Sequence, residues 1–281
     1  MADSAPWTLD RVEREVPDLA SLARLHRVLE ATGAETERRG GSLHPEISGA
    51  PAVHWVRGTP LLDAAARAPL AAALPALVGT LATAAASVVP AAAKSLSEVR
   101  AICRPDVWPW EEGLARFREE TPVAPAPHPE LFRFLLLRAI SFPARHLARS
   151  LAGPHPDRWK RSSCPFCGVV AAASVARAGS GRTLLCVLCG GRWEVEDKAC
   201  TACGEGDLGK LRVLASRDLG PATIEACTAC GVAIKVFASP DLVWGPPLAV
   251  ETLTVRLDLV AERDEGVLRD PVARAALFPP A

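Results

Sequence analysis

The sequence predicts an α+β chain, with a helical N-terminal half followed by two tandem three-stranded units, each clamped by four cysteines. Three observations carry this expectation. Up to Gly153 apolar residues recur at spacings of three and four, the helical period. Between Cys164 and Cys230 short strand-like runs replace them. Eight of the nine cysteines lie in that second segment as four Cys-x-x-Cys pairs, whereas all six histidines (His26, His44, His54, His128, His146, His155) precede it. At 281 residues the chain is long enough for one large domain or two smaller ones, and the division of cysteine from histidine favours two.

The elements follow in order. Leu19, Leu22, Leu25 and Leu29 form one helical stripe, with Gly33 expected near the helix end. The Gly- and Pro-containing stretch from Arg38 to Pro60 reads as an irregular connection. Ala68 to Ala93 carries no charge and is long enough to cross a bilayer. Its bulky residues Leu70, Leu74, Leu77, Leu81 and Val88 nevertheless lie on one stripe, and Pro75 and Pro90 interrupt it, so a bundle helix is expected instead. A short helix is expected from Ser95 or Ser97, with Glu98 closing a capping box. After the Pro-rich link 121–130, the run from Leu131 to Leu147 predicts a buried helix kinked or broken at Pro143, and Gly153 with Pro154 ends the helical half. Three strand-like runs then flank the turn at 178–181, and a second set repeats the plan around the turn at 218–221. The first knuckle recurs after 36 positions and the second after 41, an internal duplication differing in hairpin length.

A unit of roughly thirty-five residues buries too little apolar surface to hold itself together, whereas four thiolates on a divalent metal contribute folding energy directly. Each Cys-x-x-Cys is followed by a glycine (Gly168, Gly190, Gly204, Gly231), which permits the tight turn behind the sulfurs. Sequence order favours Cys164, Cys167, Cys186 and Cys189 around one ion and Cys200, Cys203, Cys227 and Cys230 around another. An interleaved cross-brace is the alternative grouping. With no histidine or other fifth ligand in the segment, both shells are expected to be closed, which suits structural or electron-transferring sites rather than hydrolysis. Zn(II) and a single iron of the rubredoxin kind both fit tetrahedral thiolate. Dithiol exchange is disfavoured, because the surroundings are not βαβ.

Other features narrow the function. Lys plus Arg and Asp plus Glu balance at 32 each, so no global field directs the chain to nucleic acid or an anionic membrane. The first twenty residues carry charges throughout and show no secretory pattern, so reducing cytosol is the expected compartment. Cys103 reads as a small buried hydrophobe, and His26 and His146 as packed or surface residues. The basic cluster at 157–161 reads as a solvated linker. The sequence contains no phosphate loop, nucleophile elbow or metalloprotease helix. No enzyme activity is expected.

The order from Trp159 to Gly168, then Leu184 to Gly204 with Trp193 after the second pair, then Ile224 to Phe237 with Ile234 and Lys235 after the fourth, resembles the FdhE family of formate dehydrogenase accessory proteins. The resemblance covers Arg158 to about Leu277, and upstream the segment Gly58 to Asp63 is similar to the family's Gly-x-Pro-x-Leu-Asp. It implies a cytoplasmic maturation factor that binds the catalytic subunit of a respiratory formate dehydrogenase and is needed for its activity. It also implies tandem rubredoxin-like units, iron in preference to zinc, two ions per chain, and a ligand role for the eight knuckle cysteines only. The last segment alternates like a strand at Leu253, Val255, Leu257 and Leu259, yet Ala249, Leu253, Leu257 and Val260 fit a helix face. The resemblance selects the helix, whose apolar side would cover the second metal unit. One departure is that this segment opens apolar and retains only Glu251 and Asp258 of the acids that would meet a client.

The expected fold is therefore α+β, with an N-terminal helical domain (1–155), rubredoxin-like or zinc-ribbon units at 156–195 and 196–240, and a C-terminal helical segment (241–281). The helical half is expected to fold without metal. The rival function is a zinc-ribbon nucleic-acid protein. It is poorly supported, because Pro156 to Pro240 holds eleven Lys or Arg against eight Asp or Glu and only four aromatics, Trp159, Phe166, Trp193 and Phe237.

Overall fold

The computed structural model describes residues 8–40, 43–118, 128–154, 157–159, 161–176, 181–195, 200–214, 222–237 and 247–259. The helical half packs around α5 (Arg67–Val88), which contacts α2 (Ala20–Gly40), α6 (Ala93–Ile102), α7 (Trp110–Arg116) and α8 (Pro129–Ser150). By length and composition alone α5 could cross a membrane, but Leu70, Leu74, Leu77 and Leu81 are all buried in the protein core. The helix α1 (Leu9–Glu15) is capped by Thr8, whose Oγ1 accepts from the Arg11 amide at 3.2 Å, and it lies on α2.

Several local expectations give way to packing. The helix α2 runs past Gly33 to Gly40. A Cβ at Gly33 would fall 1.7 Å from the Phe142 ring, so this glycine marks a close approach of α2 to α8 and not a helix end. Both α5 and α8 continue through their prolines, Pro75 and Pro143. Each forfeits one i→i−4 bond, and burial of both flanks holds the helix together. Ser95 and Ser97 lie inside α6, which starts at Ala93 with no side-chain cap, and Glu98 instead meets His128 Nε2 at 2.7 Å. The stretch read as irregular contains α3 (Pro51–Val56), started by a proline at its first position, and is followed by α4 (Leu61–Ala64). The link at 121–127, most of the turn at 178–181, the turn at 218–221 and Val260 lie outside the described residues.

The strand-like runs form β1 (Ala173–Ala176), β2 (Arg182–Leu185), β3 (Arg192–Val195), β4 (Leu211–Leu214), β5 (Ala222–Cys227) and β6 (Ala233–Phe237). They make one sheet in the order β3-β2-β1-β6-β5-β4. Pairing is antiparallel within each unit and parallel at the seam, where Ala173, Ser174 and Val175 face Lys235, Val236 and Phe237. The first strand of one unit thus meets the last strand of the other, a head-to-tail joining of two copies of one plan.

The final segment is helical, as α9 (Pro247–Leu253) and again over 255–259. Val250 and Leu257 cover a sheet face built from both units, including Val175, Ile224 and Phe237. Leu248, Ala249 and Val255 pack with Leu9, Val12 and Leu19. The secondary structure changes type between Ser150 and Ala173, but the main core crosses that change. Phe132, Leu135 and Ile140 of α8 share it with Trp159, Phe166, Leu184, Leu188 and Trp193 of the first cysteine unit.

One buried ion cluster ties α2 to α8. Arg138 and Arg145 both donate to the Glu30 carboxylate, with Arg145 Nη2 at 3.0 Å from Oε1, and the Arg138 side chain has no exposed surface. Burial pushes the Glu30 carboxyl up, but the two guanidinium groups outweigh it and bring it down to about 2. Burial likewise pushes Arg138 down, to about 10, against the pull of Glu30. A carboxyl depressed in the fold stabilises the protein above its unfolded value of about 4.3, and that contribution disappears as pH falls toward 2. Urea unfolding at pH 7 and pH 3 is expected to show this loss. Glu30→Gln should lose about 3 kcal/mol at pH 7 by orphaning a buried guanidinium, and should show a shallower acid slope. An acid slope unchanged in Glu30→Gln would contradict the assignment.

Candidate metal centres

The four knuckles have one backbone geometry. The amide of the glycine donates to the carbonyl of the first cysteine, at 2.8 Å for Gly168, 2.9 Å for Gly190, 3.0 Å for Gly204 and 2.8 Å for Gly231. The amide of the first cysteine donates to the residue after the glycine, as Cys164 to Val169 at 2.8 Å and Cys227 to Val232 at 3.0 Å. Such a turn needs a left-handed residue at its fifth position, and the four glycines have φ of 78, 71, 78 and 72°.

These knuckles bring the cysteines together in consecutive order. Cys164, Cys167, Cys186 and Cys189 converge in one group and Cys200, Cys203, Cys227 and Cys230 in another, with sulfurs within 4.8 Å of one another. The interleaved grouping is excluded. Cys164 and Cys189 sulfurs are 3.4 Å apart, as are those of Cys167 and Cys186, while Cys200–Cys230 and Cys203–Cys227 are each 3.8 Å. None of the eight is in a disulfide. A tetrahedral shell with bonds of about 2.3 Å places its sulfurs about 3.8 Å apart, which these two separations match in the second group and fall slightly below in the first.

Electrostatics tests the fit to a cation. Burial pushes Cys167 and Cys189 well up, whereas at Cys186 hydrogen bonds from the other three sulfurs overcome burial and hold it well below the thiol range. In the second group burial raises Cys200, and Cys230 to about 12. Cys227 is lowered despite burial by amides of Cys230 and Ala229 and by neighbouring sulfurs. Close-packed thiols in such surroundings do not all ionise by themselves, and a divalent cation is what would allow their protons to leave. Amides of Gly191 (to Cys189 Sγ, 3.3 Å) and Ala202 (to Cys200 Sγ, 3.4 Å) also point at sulfur. Such bonds stabilise thiolate and tune a bound metal.

The two centres differ in their surroundings. The first is wholly buried, and the helical half grips its leading knuckle by the backbone. Leu61 N donates to Pro165 O (3.0 Å), Leu62 N to Phe166 O (2.8 Å), Trp55 Nε1 to Pro165 O (3.2 Å) and Arg118 Nε to Cys167 O (2.7 Å). Asp63 holds Arg118 by two bonds of 2.9 and 3.1 Å. The segment Gly58 to Asp63 is thus a clamp on the knuckle. Arg118 and Trp55 carried no sequence signal, because their partner is a backbone carbonyl far along the chain. The second centre lies open, with Cys203 and Cys230 exposed and, among the described residues, no atom beyond the chain neighbours within 4 Å of where a Cβ would stand at Gly204 or Gly231.

Other residues resolve. Cys103 donates to Val99 O at 3.2 Å, and burial pushes its thiol up to about 11, which suits a packed group and not a nucleophile. Glu251 and Asp258 are occupied within the chain, where they meet Lys235 Nζ at 2.9 and 2.8 Å while Thr254 Oγ1 accepts from it at 2.9 Å. The lysine after the fourth knuckle therefore fastens the last helix to the seam strand β6.

No model of a protein family matches the chain, and no curated protein matches it. Among solved structures, that of the FdhE protein from Pseudomonas aeruginosa is similar over 97% of this chain and 94% of that one, with a TM-score of 0.61 and 20% identity. At that identity the likeness shows a shared, FdhE-like fold.

The difference in burial orders the behaviour of the two centres. On dialysis against a chelator, metal is expected to leave the second centre first. Cys203→Ser should remove one equivalent and leave the tryptophan near-UV signal intact, whereas Cys164→Ser should remove one and disturb that signal. Simultaneous loss of both ions from either single variant would contradict two independent centres.

Proposed function

We propose that this chain is a cytoplasmic accessory protein for formate dehydrogenase that binds the dehydrogenase's catalytic subunit through its metal-bearing half and is not itself an enzyme. The observation that carries this reading is the pair of four-cysteine centres within a fold shared end to end with the FdhE protein. Iron is the preferred occupant of both, with the eight knuckle cysteines as ligands, and zinc is the alternative. When bound, iron would supply a one-electron couple. The cysteines fill a tetrahedral shell and leave no position for a substrate, which supports binding over catalysis. In this reading 1–155 is the helical frame, 156–195 a unit anchored to it, 196–240 the presenting unit and 241–281 a segment whose described residues, 247–259, brace the sheet from behind.

The second unit is the better candidate for client contact. Beside its open centre, Leu208 and Val213 are 56% and 64% exposed, and β4, which carries Val213, is an edge strand. A prearranged surface of this kind loses little order on binding. Pull-down with a formate dehydrogenase catalytic subunit is expected to succeed with the full chain and to fail with Cys203→Ser, whose helical half stays folded. Cells carrying that variant should contain the dehydrogenase polypeptide on an immunoblot and lack its activity. Client binding undiminished in Cys203→Ser and Val213→Asp would remove the assignment to the second unit. Retention of nucleic acid with no dehydrogenase recovered would favour the zinc-ribbon reading.

A further inference from the structure

A third group of metal-ligating side chains lies apart from the cysteines. Glu37 on α2, His44 after it and His146 on α8 bring one carboxylate oxygen and two imidazole nitrogens within 4.8 Å of one another. The His44 and His146 rings stack with centroids 4.0 Å apart and planes 17° from parallel, so the exposed His44 ring must swing out of the stack before both nitrogens can meet one ion, which lies in the plane of each ligating ring. His44 Nε2 is 3.8 Å from a Glu37 oxygen, and Ser150 Oγ is 3.4 Å from His146 Nε2. Glu37 and His146 line a cavity of about 340 Å³ whose wall also includes Glu30, Phe142, Arg145 and Arg149.

Two of the three donors are placed by rigid packing. The bare backbone of Gly33 lets α2 approach Phe142 of α8 closely. Glu37 and His146 each stand four residues further on, hence on the same helix faces as that contact. The exposed His44, with 54% of its side chain accessible, completes the set from the connecting segment. An ion pair explains the arrangement poorly, because the Glu37–His44 separation of 3.8 Å is too long for a hydrogen bond. Two imidazoles and a carboxylate are instead the donor types of a three-ligand metal site that keeps positions open. Imidazole selects borderline transition ions over magnesium or calcium. The Arg149 guanidinium on the same wall further disfavours a hard, electrostatically held cation, while the charge of Arg145 is already matched by Glu30.

We propose that Glu37, His44 and His146 form a third, exchangeable site for a borderline divalent cation such as Zn(II), Ni(II) or Co(II), whose open coordination positions are supplied from the adjoining cavity. The inference is independent of the accessory role and of which metal fills the cysteine centres. Its test uses the full, tag-free chain with those centres filled and loosely held metal removed on a chelating resin. Titration with Co(II) should add one equivalent per chain with the weak visible bands of nitrogen and oxygen ligation, without the intense charge-transfer bands of thiolate. His146→Gln and Glu37→Gln should each weaken that binding by about tenfold or more. His44→Ala, at an exposed position, should do the same while the far-UV spectrum and the two cysteine-bound equivalents stay unchanged. Absence of the additional equivalent, or its persistence at full affinity in His44→Ala, would overturn the proposal.

Discussion

The carbonyl groups of Pro165, Phe166 and Cys167 are the point on which the rest of the structure depends. A Cys-x-x-Cys turn aims its sulfurs inward and leaves its carbonyls facing out, where a buried carbonyl without a donor costs about 1–3 kcal/mol. Here Leu61, Leu62, Trp55 and Arg118 supply those donors, and Asp63 holds Arg118 in place. A metal-binding turn is thereby built into the interior of a helical protein. With it come Phe166, Leu184, Leu188 and Trp193, which join Phe132 and Leu135 in one core. An ion at the first centre would organise one wall of the helical half as well as its own small unit.

The duplication then permits a division of labour. Both units have the same knuckle turns and the same strand plan, and the parallel seam between β1 and β6 lets one anchored copy carry the other. The Lys235 cluster with Glu251 and Asp258 locks the last helix behind that seam. A buried ion cluster of this kind contributes little net stability, but it penalises any arrangement that breaks it. What emerges is a fixed base with one sealed centre, and an outward unit whose centre, edge strand and apolar side chains remain accessible.

The grouping of the cysteines was legible in the sequence, since residue type, spacing and the trailing glycines are local. The six strands and the main helices were legible for the same reason, because hydrophobic period is a property of neighbours along the chain. What was illegible depends on contacts between distant residues. Gly33 resembles a helix end until the Phe142 ring is seen against it, and Pro75 and Pro143 resemble breaks until burial on both sides holds the helices together. Glu98 resembles a capping residue until His128 takes it. Glu251 and Asp258 resemble acids that would meet a client until Lys235 takes them. The clamp at Gly58 to Asp63 was visible only as a family-like motif, because nothing local says that its amides meet a cysteine knuckle more than a hundred residues later.

The central claim is that the first centre belongs to the core of the helical half. Amide hydrogen exchange at Leu61, Leu62 and along α5, followed as metal is withdrawn, tests it most directly. Emptying the second centre alone should leave those amides protected, and emptying the first should release Leu61 and Leu62 and accelerate exchange in the buried turns of α5. Protection of α4 and α5 that is indifferent to the loss of both ions would contradict the account.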